Sequence, residues 1–153
     1  MKNTFRLMAL MMIFIAGCAY PSDYGLEGKS VKYHAGIPGN YKINETTLSI
    51  SRIDDYNVQV KYFKPDDIED QEMNGVGRFV ENKGNLYAVV KDKNRYFVAK
   101  ILDASDKILE INILDENDMG ANTKFKSTKQ FTSFVFKDKS IFSKKYDQKF
   151  RRL

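Results

Sequence analysis

Apolar and polar residues alternate with period two along most of this chain. Leu48 and Ile50, continued by Arg52, alternate against Thr47, Ser49 and Ser51. Val58, Val60 and Tyr62 alternate against Asn57, Gln59 and Lys61, and Leu109, Ile111 and Ile113 against Ile108, Glu110 and Asn112. Successive side chains of a strand point to opposite faces, so each run predicts a half-buried strand. Strands are expected over residues 40–43, 46–53, 56–63, 75–81, 86–91, 95–102, 108–114 and 146–153. Turn chemistry separates them at Asp54-Asp55, Asn82-Lys83-Gly84-Asn85, Asp92-Lys93-Asn94 and Ala104-Ser105-Asp106-Lys107. Gly84 is free to take the positive φ of a tight hairpin. Short strands spaced roughly 8–12 residues apart predict a mainly β fold, an antiparallel meander closing into a small barrel or a sandwich.

Three stretches depart from this pattern. Residues 64–74 read as a polar loop holding Asp66, Asp67, Glu69, Asp70 and Glu72. Ser127 and Gln130 have the spacing of a capping box, and Phe131, Phe134 and Val135 follow at helical spacing. They predict a short C-terminal helix near 128–136, its aromatic side laid over the sheet; a single helical turn also fits within 115–122. Pro21, Ser22, Gly25, Gly28, Gly36 and Pro38 break any regular pattern, so residues 18–38 read as a flexible tether before a single domain, 39–153.

The N-terminus is laid out as an export signal. Lys2 and Arg6 precede an uncharged apolar run, Leu7 to Ile15, which ends at Ile15-Ala16-Gly17-Cys18. That run is well short of the ~20 residues that span a bilayer. Ile15, Ala16, Gly17 and Cys18 closely resemble the lipobox of bacterial lipoproteins. The resemblance implies a signal peptide, 1–17, removed before Cys18, and a thiol carrying diacylglycerol, with palmitate-type acyl chains holding the protein to a membrane. By the same resemblance, Ala19 in place of Asp directs the protein to the outer membrane, on its periplasmic face.

Composition narrows the chemistry. The 153-residue chain carries 25 Lys and Arg against 20 Asp and Glu; without Lys2 and Arg6 the excess falls to +3. Ten basic residues fall within 124–153 against Asp138 and Asp147. The acidic group Asp66, Asp67, Glu69, Asp70 and Glu72 and the basic group Lys137, Lys139, Lys144 and Lys145 are therefore the expected contact surfaces. Cys18 is the only cysteine, which excludes an intramolecular disulfide. No metal or cofactor is expected: His34 is the only histidine, and Asp115-Glu116-Asn117-Asp118 begins like a calcium loop but puts Met119 and Lys126 at ligand positions. No Gly-x-Ser-x-Gly elbow accompanies His34, so no enzyme is expected. Export argues against nucleic acid as the partner of the basic tail.

Gly39-Asn40-Tyr41, the return Gly84-Asn85-Leu86-Tyr87, the two strands after it and the Ser127-started helix resemble the small β-rich lipoproteins of bacterial envelopes. Gly39-Asn40-Tyr41 is also similar to the Gly-x-Trp opening of lipocalins, in which a C-terminal basic residue packs on the aromatic ring. That likeness gives the part to Arg151 or Arg152. Two functions stay open. One is a non-catalytic binding or assembly module that meets an envelope protein through its surface; an inhibitor of a cell-wall hydrolase is its narrower form. The other is a lipocalin-like carrier of a small apolar ligand. Nine Tyr and eleven Phe predict a filled interior and favour the surface module.

Overall fold

The computed structural model describes residues 22–65, 72–114, 119, 124–137, 141–142 and 147–153. Eight antiparallel strands run β1 (Gly39–Ile43), β2 (Thr46–Arg52), β3 (Asn57–Phe63), β4 (Glu72–Asn82), β5 (Asn85–Asp92), β6 (Arg95–Ala104), β7 (Ile108–Ile113) and β8 (Asp147–Arg152). Each pairs with the next, and β8 returns to β1 through Tyr41↔Arg152 and Lys42↔Arg151, so the sheet closes into a barrel. Of the two architectures the period-two runs permit, the barrel is the one formed. Closure leaves no sheet edge open between the first and last strands.

The alternation maps onto this barrel directly. Leu48, Ile50, Val58, Val60, Leu109 and Ile111 belong to the interior cluster, together with Ile37, Tyr41, Phe79, Val90 and Phe150. The hairpin between β4 and β5 turns on Lys83 (φ 51°) and Gly84 (φ 78°), the two successive positive values of a tight primed turn. β4 begins earlier than its composition suggests. Glu72, Met73 and Asn74 pair with Phe63, Tyr62 and Lys61, so Glu72 is a strand residue and not part of the polar loop. The acids before it, Asp66, Asp67, Glu69 and Asp70, lie outside the described residues, as do Lys139, Lys144 and Lys145.

A helix, α1 (Thr128–Lys137), crosses the outside of the wall formed by β4, β5 and β6. The Ser127 hydroxyl accepts from the Gln130 amide at 3.2 Å, as an N-cap should. The Gln130 side chain reaches back one residue further than in an ideal box and accepts from the Lys126 amide at 2.8 Å. Phe131 and Val135 are buried against Val80, Tyr87, Val89 and Val98, which point outward from the barrel. That wall is covered on both sides, which is why Leu86 to Val90 reads as a nearly continuous apolar run.

The segment before β1 differs from its sequence reading. Gly and Pro suggest a stand-off tether, yet residues 22–38 lie against the barrel, with Ser22, Leu26 and Ile37 at 0–1 % exposure. The reason is backbone left unpaired by neighbouring strands. β7 pairs with β6 from Ala99 onward, the Leu114 amide takes the Val98 carbonyl just before it, and Ser22 takes the vacant edge at Tyr96 through N–H···O bonds of 2.9 and 2.7 Å. β3 stops opposite Arg78, and the Val31 amide takes the Phe79 carbonyl beyond it at 2.9 Å. Between these points the Arg78 guanidinium donates to the Leu26 and Gly28 carbonyls, and the Glu27 amide donates to the Thr132 hydroxyl of α1 at 2.7 Å.

Candidate functional site

The barrel interior is not filled. A cavity of about 130 Å³ runs along its axis. Its wall is apolar, and the residues that leave the space are small: Gly77 on β4, Ala88 on β5 and Ala99 on β6. Register places them together, with Gly77 opposite Val90 and Ala88 opposite both Phe79 and Ala99. A Cβ at Gly77 would stand 3.1–3.5 Å from the Val58, Val60 and Val90 methyls, so these valines already close over the glycine and the space lies beyond them, against Ala88 and Ala99.

The aromatic residues that were expected to fill this space are mostly elsewhere. Tyr24, Tyr87, Tyr96, Phe125, Phe131, Phe134, Phe136 and Phe142 gather outside the wall, under and around α1. The Tyr87 ring lies 5.3 Å from Phe136 and 5.8 Å from Phe142. Aromatic content alone cannot distinguish the two sides of a sheet that is covered on both. The signal that could have located the cavity is the inward parity of Gly77, Ala88 and Ala99.

One end of the barrel is shut. Residues 36–38 cross it, and the buried Tyr41 hydroxyl donates to the Gly36 and Ile37 carbonyls at 2.7 and 2.8 Å. Arg152 stands over the Tyr41 ring, 5.6 Å from its centroid, and donates to the Pro38 and Gly36 carbonyls. Burial pushes the Tyr41 hydroxyl above its ordinary pKa of 10.0, and the Arg152 charge opposes that shift. A Cβ at Gly39 would come within 2.7–2.9 Å of the Arg152 guanidinium and would displace it from this position. The crossing segment is also latched to the β2–β3 turn. The Lys32 ammonium donates to Asp55 at 2.8 Å, and the Tyr33 hydroxyl donates to the Asp54 carbonyl at 2.7 Å. The Lys32 bond and charge, with Arg52 nearby, hold the Asp55 carboxyl below its usual range.

The other end is the mouth. Tyr62, Lys64, Glu72, Met73, Asp92 and Arg95 line the cavity there, at the ends of β3 to β6. Charge is thus confined to the rim, and the deeper wall is hydrocarbon. Such a site suits an apolar ligand held by burial, with polar groups only where it emerges.

Of the nine residues named from sequence as contact surface, Glu72 and Lys137 are described. Glu72 stands on the rim, and Lys137 is exposed at the last position of α1 on the outer wall. His34 accepts the Gly36 amide at Nδ1, 3.1 Å away, and so serves its own turn. Among the described residues no three His, Cys, Asp or Glu side chains converge as metal ligands would. Cys18 and the lipobox residues Ile15, Ala16 and Gly17 lie outside the described residues, as does the calcium-like stretch 115–118. No protein-family model, curated protein or solved structure matches this chain.

Proposed function

We propose that this chain is a lipid-anchored, non-catalytic binding protein of the bacterial envelope whose barrel holds a small apolar molecule. The observation that carries the binding half is the apolar cavity walled by Gly77, Ala88 and Ala99. Its volume of about 130 Å³ is close to the ~150 Å³ of apolar cavities that stay dry and take up benzene. A ligand of small aromatic size, or the end of a longer alkyl chain, fits that space. Support for a lipocalin-like design comes from the closed end, where Arg152 covers Tyr41 as the Gly-x-aromatic opening leads one to expect. The anchoring half rests on the likeness of residues 15–18 to a lipobox. The surface-module reading, with an envelope protein as partner, ranks second, since Glu72 belongs to the cavity rim and Lys137 to the outer wall.

Titration with an uncharged fluorescent naphthylamine tests the cavity. Saturable binding is expected for the wild-type chain. Ala88→Leu and Ala99→Leu, each filling the space, are expected to weaken it by about tenfold or more, a loss of ~1.4 kcal/mol or greater. Circular dichroism checks that both variants keep the sheet. No saturable binding, or equal affinity in all three proteins, would rule the carrier out.

A further inference from the structure

We infer that the barrel faces the membrane mouth first, so that the cavity exchanges its apolar ligand with the bilayer and not with water. The inference rests on the proposed acylation of Cys18 and on the cavity as the binding site. It is carried by the place where the N-terminal segment joins the barrel. Ser22 is fully buried and is bonded through both backbone groups to Tyr96. Tyr96 stands between Arg95 and Phe97, both of which line the cavity, and next to the turn at 93–94 on the mouth side.

Four residue steps separate Cys18 from Ser22, so the backbone between them reaches at most about 14 Å. β6 runs eight residue steps beyond Tyr96 to Ala104 and so carries the opposite end of the barrel about 26 Å along the strand. A lipid on Cys18 therefore holds the mouth near the headgroups and cannot bring the shut end down to them. The flexible stand-off that Gly and Pro suggest is denied by the docking of residues 22–38.

The rim has groups suited to such a surface. Phe63 is exposed at the mouth end of β3, next to Lys64, with Arg95 across the opening. The apolar ring is the group that enters the interface. Ile53, Tyr56 and Leu102 are exposed near the shut end, beyond the reach of the anchor. An apolar ligand is concentrated in bilayer hydrocarbon, so a mouth turned that way draws on the larger pool.

The chain has no Trp, which makes a single introduced Trp a clean reporter. Asn94→Trp and Glu45→Trp mark the mouth, and Asp106→Trp marks the shut end; all three positions are exposed turns or bends without positive φ. Each full chain is produced in a bacterium that acylates lipoproteins, extracted from membranes and reconstituted into vesicles of brominated phosphatidylcholine. Its mass reports acylation at Cys18. Quenching by the brominated chains is expected to be several-fold stronger for Asn94→Trp and Glu45→Trp than for Asp106→Trp. Equal or reversed quenching in an acylated protein overturns the orientation and leaves the anchor standing. A mass without acyl groups on Cys18 overturns the anchor, and the inference with it. The naphthylamine titration reports on the cavity independently of both.

Discussion

Gly39 and Tyr41 on β1 and Arg152 from the far end of the chain hold one end of the barrel shut, and each has a definite task. Tyr41 satisfies two carbonyls of the crossing segment, Arg152 caps its ring, and Gly39 gives the guanidinium room. Tyr41→Phe leaves the Ile37 carbonyl without its buried donor and the Gly36 carbonyl with only the long 3.4 Å bond from Arg152, and is expected to cost about 1–3 kcal/mol in denaturant unfolding. Gly39→Ala displaces Arg152 and is expected to cost about as much as Arg152→Ala. Because the two act through one contact, Gly39→Ala should add little in an Arg152→Ala background. Additive losses in that double-mutant cycle would break the link. Asp54 makes a second residue-scale case. Its carboxylate accepts the Asn57 side chain and the Tyr56 and Asn57 amides, which holds it below its ordinary value of 3.8. A depressed carboxyl stabilises the fold above its unfolded value, and that contribution is lost as pH falls through the folded one. The melting-temperature gap between wild type and Asp54→Ala is therefore expected to be constant above about pH 5 and to shrink below 3.8. A gap that persists at pH 2 would remove the carboxylate from the account.

At the scale of elements, the β4–β6 wall has two jobs. Its inner face lines the cavity with small residues, and its outer face holds α1 and the N-terminal segment through large ones. The aromatic cover outside packs against a wall that is loosely filled inside. These roles separate by mutation. Phe131 is fully buried beneath α1, with its ring edge-on to Phe125 at 5.1 Å. Phe131→Ala is expected to destabilise the protein by about 3–5 kcal/mol. It should leave naphthylamine affinity unchanged wherever the protein is still folded, the opposite of Ala99→Leu. Loss of affinity in a folded Phe131→Ala protein would mean that the helix shapes the cavity.

At the scale of the whole molecule, closure depends on the last residues. β8 completes the ring by pairing with β7 and β1 and buries Phe150 inside it. Ending the chain at Lys149 removes Phe150 and Arg152 and opens the β1–β8 seam. Such a protein is expected to lose its cooperative thermal transition, because an open sheet leaves both the interior and two edges to water. A transition kept within a few degrees would show that the seam is dispensable. The faces of the barrel also bear on its environment. Asn40, Lys42, Ser49, Ser51, Gln59 and Lys61 point outward while Leu48, Ile50, Val58 and Val60 point inward. A barrel that spans a membrane has the reverse order.

Local pattern was enough to place the strands. Period two follows from the geometry of a single chain, so β2, β3 and β7 were legible to within one residue at their ends, as was the hairpin at Lys83-Gly84. The Ser127 cap and the spacing of Phe131, Phe134 and Val135 marked α1 for the same reason. Glu72 was misplaced because its strand character comes from pairing with Phe63 across the β3–β4 connection, and pairing leaves no trace in a polar stretch. The docking of residues 22–38 was hidden for a like reason: it answers vacancies on β4 and β6 that exist only once those strands have partners. The cavity was the least visible feature. Whether an aromatic side chain lines a barrel or covers it depends on which face of the sheet the rest of the chain packs against. Only the closed ring, with α1 laid on one wall, makes Ala88 and Ala99 the lining of an empty space and Phe131 its outer support.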